Sequence, residues 1–323
     1  MTRPLLLGDI GGTFARFVLA GAAGPLPSAT ILKTGTYPTL AGAVAAFLAE
    51  HGTPALGGAA LSAAGPVTNG VVALTNQFWA VSVDELARAT GVSDPVLVND
   101  FTAAAMGVLM LRPEQRVQLG PCSEGLAGTP IAVLGPGTGL GVSGLIPDER
   151  GVYTPLAGEG GHVDLAATTP REQAVLEHCL NGHDHVSAER VLSGRGLEQL
   201  YRALAAIDGG APRASWPDAA AIAELARAGK DPVAGESITL FTGWLGAFAG
   251  NLALTLGARS GVFIAGGVLP RWGALFDAAV FRQRFEAKGR FAGYLASIPT
   301  FLVTAPDLAL EGLRTLLRQR DVL

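Results

Sequence analysis

The sequence predicts an α/β protein of two domains around a central cleft. A short apolar run entering a glycine turn with a threonine, then a second apolar run, occurs twice. One copy starts at Leu5 and the other at Pro130, about 125 residues apart. Apolar runs of strand length alternate with segments of helical spacing. Two of the strands close on acidic positions, Asp9 and Asp100, and α/β sheets gather ligands beyond the carboxyl ends of their strands. At 323 residues and 49% hydrophobic content the chain can fill two cores.

In order, Leu5–Asp9 reads as a strand and Phe17–Leu19 as its hairpin partner. Leu40–His51 has helical spacing, with Leu40, Val44, Phe47 and Leu48 on one face. Gly58–Ser62 is a small-residue strand, Val71–Thr75 another, and Val83–Ala89 a helix. Pro95–Asn99 is an apolar strand that ends on Asn99 and Asp100 before a helix over Thr102–Leu111. The second half opens with the strand Pro130–Leu134, the turn Gly135–Gly141 and the strand Val142–Ile146. Leu192–Ala206 reads as helix, and Pro232–Leu256 as a long helical region interrupted by glycines. Gly261–Ala265 is a strand ending on Gly266-Gly267, and the chain closes with strand Thr300–Val303 and helix Leu308–Arg318. The expected domains are residues 1–110 plus about 303–323, and residues 111–302.

Charged residues make up 15% of the chain and the net charge is −4, so there is no basic footprint for nucleic acid. No unbroken apolar run approaches the roughly 18 to 20 residues that span a bilayer. The N-terminus enters the first strand at once and leaves no room for a cleaved signal, which favours the cytoplasm. Cys122 and Cys179 lie far apart and form neither a disulfide framework nor a metal-binding spacing. His183-Asp184-His185 suggests a metal site, but no third ligand has fitting spacing. Phe78 and Trp79 read as packing residues.

The segment Gly8-Asp9-Ile10-Gly11-Gly12-Thr13 carries the first chemistry. Glycines let backbone N–H groups approach an anion closely. An aspartate beside them would repel a bare phosphate, but it fits where Mg²⁺ takes carboxylate and phosphate oxygens together. Taken alone, the segment could also be an ordinary hairpin turn. The Gly-x-x-x-x-Gly-Lys-Ser/Thr pattern is missing, and Gly137-Thr138-Gly139-Leu140-Gly141 runs into a strand rather than a helix. Both observations exclude the commonest nucleotide motifs.

The segments LGDIGGTFAR, LVNDFTAAAMG, GPGTGLGV, GEGGHVDLA, HVSAERVLSGRGL and GVFIAGGVLPR resemble those of the bacterial ATP-dependent glucokinase family. That family belongs to the sugar kinase, Hsp70 and actin superfamily, and the resemblance covers nearly the whole chain. The glycine turns mark the superfamily, whereas GEGGHVDLA and HVSAERVLSG mark the family. The cysteine-rich zinc motif of the repressor-containing group is absent.

The resemblance implies actin-like, ribonuclease H-like domains and transfer of the γ-phosphoryl of ATP to the 6-hydroxyl of glucose. It implies that Gly8, Asp9, Ile10, Gly11, Gly12 and Thr13 form the first phosphate segment, with Asp9 acting on Mg²⁺ through water. Gly137, Thr138 and Gly139 form the second, and Gly266 and Gly267 lie against adenosine. Asn99, Asp100, Glu159, His162 and Glu189 become the sugar contacts, with Asp100 the general base. A homodimer is the family's expected assembly.

Taken singly, Asp100 could cap the following helix, His162 could be a loop histidine and Glu189 a surface charge. Another hexose as substrate, or a non-catalytic sugar-sensing regulator, are the alternative functions. The stretch Asp307-Leu308-Ala309-Leu310-Glu311-Gly312 is less glycine-rich than the family pattern before the last helix.

Overall fold

Strand β1 (Leu5–Ile10) is buried along nearly its whole length, and its neighbours show why it carries a glycine. Gly8 lies opposite Phe17 of β2 (Phe14–Ala20) and Leu61 of β4 (Gly58–Ala63), the strands on either side. A Cβ at Gly8 would fall 2.4 Å from Leu61 Cδ2 and 2.8 Å from the Phe17 ring. The computed structural model describes residues 3–73, 79–210 and 215–320. Phe78 and the end of the expected strand Val71–Thr75 lie outside them.

The chain forms two compact units, one of Met1–Arg112, Asp148–Gly158 and Ala305–Leu323, the other of Pro113–Pro147 and Glu159–Thr304. The first also contains β3 (Thr30–Lys33), α1 (Leu40–Glu50), β5 (Val71–Ala73), β6 (Ala80–Ser82), α2 (Val83–Thr90), β7 (Val96–Asn99), α3 (Asp100–Gly107) and β11 (Tyr153–Ala157). Its main sheet runs β3-β2-β1-β4-β7, with β1, β4 and β7 parallel. Residues Ile10, Ala63 and Asn99 are in register across β1, β4 and β7, so their carboxyl ends form one edge. On one face α1 buries Leu40, Val44 and Phe47 against Leu6, Ile10, Phe17 and Leu61. On the other face Leu5, Leu7, Ala60 and Val96 pack with Leu310, Leu313 and Leu317 of the last helix.

That last helix, Leu308–Gln319, lies on α3 with backbone in contact. A Cβ at Gly312 would sit 1.7 Å from Ala103 O, and one at Gly107 would sit 2.1 Å from Leu308 O. Two glycines therefore suffice for the packing, and the departure from the family pattern at Asp307–Gly312 does not loosen it.

In the second unit the sheet runs β10 (Leu140–Pro147), β9 (Ile131–Pro136), β12 (Gly261–Ile264), β13 (Thr300–Val303) and β8 (Arg116–Gln118). The expected helix Leu192–Ala206 is observed as Gly194–Ile207, starting two residues later, and a separate short helix, Ala188–Val191, precedes it. Ser193 divides them, since its hydroxyl accepts from Gly196 N and starts the second helix. The expected interruption of Pro232–Leu256 does not occur; it is one continuous 25-residue helix. Its Gly246 and Gly250 face the carbonyls of Phe281 and Phe285 at 2.2 and 2.5 Å from a built Cβ, so they serve close helix contact. Among the described residues this helix alone is long and apolar enough to cross a membrane, and 67% of its most apolar stretch is buried in the protein.

Candidate functional site

In the first unit, β1 and β7 end on the same sheet edge, which places Asp9 and the Asn99-Asp100 pair on one side. The helix α3 begins at Asp100, two residues earlier than the sequence predicts. Asn99, not Asp100, is its cap: Oδ1 accepts from Phe101 N at 2.8 Å and Thr102 N at 3.2 Å. Its amide nitrogen donates to Gly65 O at 3.1 Å, tying the loop after β4 to the helix start. Asp100 is half-buried in the first turn, where unpaired helix N–H groups favour negative charge, and its Oδ1 accepts from Phe101 N at 2.8 Å.

Asp9 Oδ1 accepts from the fully buried Ser62 hydroxyl at 2.7 Å. Burial pushes the Asp9 carboxyl above the usual carboxylate range; Ser62 and Arg16 pull against it, while Asp307 adds to the rise. Ile10 is completely buried, which leaves only its backbone for a ligand. Gly11 N donates to Phe14 O at 2.9 Å and closes the turn. Neither Gly11 nor Gly12 has a positive φ, and a Cβ at Gly12 would meet nothing within 4 Å. Thr34, with no exposed surface, holds the turn from below through Gly12 O at 3.2 Å and Thr13 O at 3.1 Å.

In the second unit the start of β10 is a junction. Leu140 N donates to Glu189 Oε2 at 2.8 Å, and a Cβ at Gly139 would strike that same oxygen at 2.3 Å. Gly161 presses on the other side of the residue, 2.1 Å from Leu140 O to a built Cβ, and Gly160 presses on Val142. These two glycines lower the backbone onto the strand and leave Glu159 and His162 exposed on either side of them. Residues 163–165 then pair with 186–188, through Ala188 N to Val163 O at 2.8 Å and Leu165 N to Val186 O at 3.0 Å. That pairing carries Glu189 to the same place. The structure thus gathers Glu159, His162, Glu189 and the turn Gly137–Gly139 around one strand end.

Gly137 N donates to Gly139 O at 2.7 Å, and Gly194 N donates to Gly137 O at 2.9 Å. Thr138 is exposed at the tip. The turn after β12 is laid beside this one by Ala265 N to Leu134 O at 2.7 Å and Val268 N to Pro136 O at 3.3 Å. The two glycines there differ. Gly266 has φ +89° and a built Cβ only 2.4 Å from Pro136 O, whereas Gly267 has ordinary φ and open space. Gly266→Ala is therefore expected to lower stability by about 1–3 kcal/mol. Gly267→Val should keep the melting temperature and weaken nucleotide binding. Thermal melts beside ATP calorimetry check both, and a Gly267→Val protein that binds ATP normally removes Gly267 from the adenosine contact.

His183, Asp184 and His185 do not assemble a metal centre. His185 Nδ1 lies 3.2 Å from Asp184, His183 Nε2 lies 2.9 Å from Arg190, and no group of three ligands forms among the described residues. Both cysteines are free, and Trp79 is a buried packing residue. Sequence reasoning missed Ser62, Thr34 and the Arg16–Asp307 ion pair. Ser62 alone had a signal, as a polar residue closing an otherwise apolar strand.

The family model for glucokinase matches residues 6–320. A glucokinase of Paramagnetospirillum magneticum is 48% identical over 314 residues, covering 97% of each chain. The bifunctional protein glk of Burkholderia pseudomallei is 45% identical over 98% of this chain, which spans 49% of that longer protein. Among solved structures, a glucokinase from an Antarctic psychrotroph superposes with TM-score 0.90 at 35% identity, covering 99% of this chain and 100% of that one.

Proposed function

Because this chain belongs to the glucokinase family, whose activity is transfer of the γ-phosphoryl of ATP to glucose, we propose how its own residues divide that work. Asp100 is the general base. It takes the proton of the sugar 6-hydroxyl while that oxygen attacks the γ-phosphorus and ADP departs. Asn99 holds the helix start that presents Asp100, and the amide hydrogen not used on Gly65 is available to a sugar hydroxyl. Glu159, His162 and Glu189 take the remaining hydroxyls, since carboxylates and imidazole can bridge groups that each donate and accept.

The turns Gly8–Thr13 and Gly137–Gly139 offer backbone N–H groups to phosphate oxygens, and Gly267 leaves space for adenosine. Asp9 fits a hard cation: it is an oxygen donor, recessed, and aimed by Ser62. Mg²⁺ held there through water would neutralise charge on the phosphates during transfer. Cytoplasmic location and a homodimer belong to the same reading.

The start of β10 carries the proposal, because residues suited to a polyol and a turn suited to phosphate share that one strand end. A coupled assay with ATP, Mg²⁺ and a panel of glucose, mannose, fructose and N-acetylglucosamine tests it. Glucose should be used best, and the crowding of two bulky polar side chains from the short loop at Glu159 and His162 should exclude the N-acetyl group. Equal use of all four sugars overturns the pocket assignment. Sugar binding without turnover would identify a regulator instead.

A further inference from the structure

Arg16 of β2 lies directly opposite Asp9 of β1 in register. Side chains so placed share a face, with Cβ atoms roughly 5 Å apart, and opposite charges at such positions ordinarily pair. Here they do not. Arg16 Nη2 donates to Asp307 Oδ1, on the residue before the last helix, while Asp9 Oδ1 accepts from Ser62. Asp307 is 291 residues away in sequence. It is delivered by the helix that Gly312 seats on α3, so its position is as well defined as the backbone contact beneath it. The pair is about one-third exposed, at 31% and 35% of side-chain surface, so water screens it only in part.

We propose that Asp307 is a positioning residue that holds Arg16 away from Asp9 and so keeps the Asp9 carboxylate available to a divalent cation bound with the nucleotide. The inference rests on the assignment of Asp9 made above. Without Asp307 the Arg16 guanidinium would face the Asp9 carboxylate opposite it in register, which already feels its charge, and an incoming cation would have to displace it. Ser62 sets the direction of one Asp9 oxygen; Asp307 keeps that carboxylate clear of a direct guanidinium contact.

The competing role for Asp307 is a plain strut between the hairpin and the last helix, and the sign of a double variant separates the two. Binding of AMPPNP with and without Mg²⁺ is measured by calorimetry in the wild type, D307N, R16Q and the double variant R16Q/D307N. Melting curves and glucose binding are recorded beside it. D307N should weaken Mg²⁺-dependent AMPPNP binding on the order of tenfold, the scale of one hydrogen bond to a charged group, and leave glucose binding unchanged. R16Q alone should bind at least as tightly as the wild type, and the double variant should regain most of what D307N loses.

An unchanged D307N, a weakened R16Q, or a double variant no better than D307N overturns the inference while leaving the Asp9 assignment standing. A wild type whose AMPPNP binding ignores Mg²⁺ overturns the Asp9 assignment and this inference with it.

Discussion

Asp100→Asn is expected to reduce kcat by roughly 10²- to 10⁴-fold, the usual contribution of a positioned general base, while glucose still binds. The amide keeps the shape of the carboxylate and an oxygen that can still accept from Phe101 N, but it cannot take the proton from the sugar. The helix start is capped by Asn99, whose Oδ1 serves both Phe101 N and Thr102 N, so α3 keeps its cap in the variant. Steady-state kinetics beside glucose calorimetry checks the outcome, and full activity in the variant would remove Asp100 from the role of base.

Glu159→Ala and Glu189→Ala should each lower kcat/KM for glucose by about 10- to 150-fold, as expected from a hydrogen bond to a charged group worth about 1.5–3 kcal/mol. Their effects on ATP should differ. Glu159 stands exposed on its loop, so its removal should raise the glucose KM alone. Glu189 is half-buried and also accepts the Leu140 N–H at 2.8 Å, at the foot of the turn Gly137–Gly139. Truncation there leaves that N–H without its partner and frees the turn, so the ATP KM should rise as well. The measurement is both KM values in both variants. An ATP KM untouched by Glu189→Ala would show that the turn stands without it, and no loss of glucose use in either variant would remove both from the sugar pocket.

Local chemistry made much of this protein legible from its sequence alone. The first strand and its turn, the repeat of that pattern at Pro130, and the apolar strand ending on Asn99-Asp100 all depend on residues within a dozen positions of one another. Strand periodicity and turn chemistry act over that range, and the family's motifs lie in the same short segments. Even there, the boundary of α3 was displaced by two residues, because a cap is chosen by which side chain reaches the N–H groups of the first turn.

Tertiary structure decided which of the equivalent-looking residues does what. Gly8 reads like a phosphate glycine, and Gly161 and Gly312 carry no distinct role in the sequence, yet each is required because another part of the chain occupies the space of its Cβ. Gly266 and Gly267 are adjacent and identical in the sequence, and the positive φ and the Pro136 backbone at Gly266 separate structural necessity from open space. Glu189 reaches the second turn across 49 residues and Asp307 reaches Arg16 across 291. Such contacts leave no periodic trace, since they form only when packed sheets and helices bring distant backbone together. The sequence alone therefore determined the family, the first and central strands of both sheets and the candidate chemistry, but not helices such as Pro170–Leu180, Ala219–Arg227 and Ala278–Glu286. Packing decided which side chains hold the turns and which remain for a ligand, because a hydrogen bond between distant residues depends on geometry that no local pattern encodes.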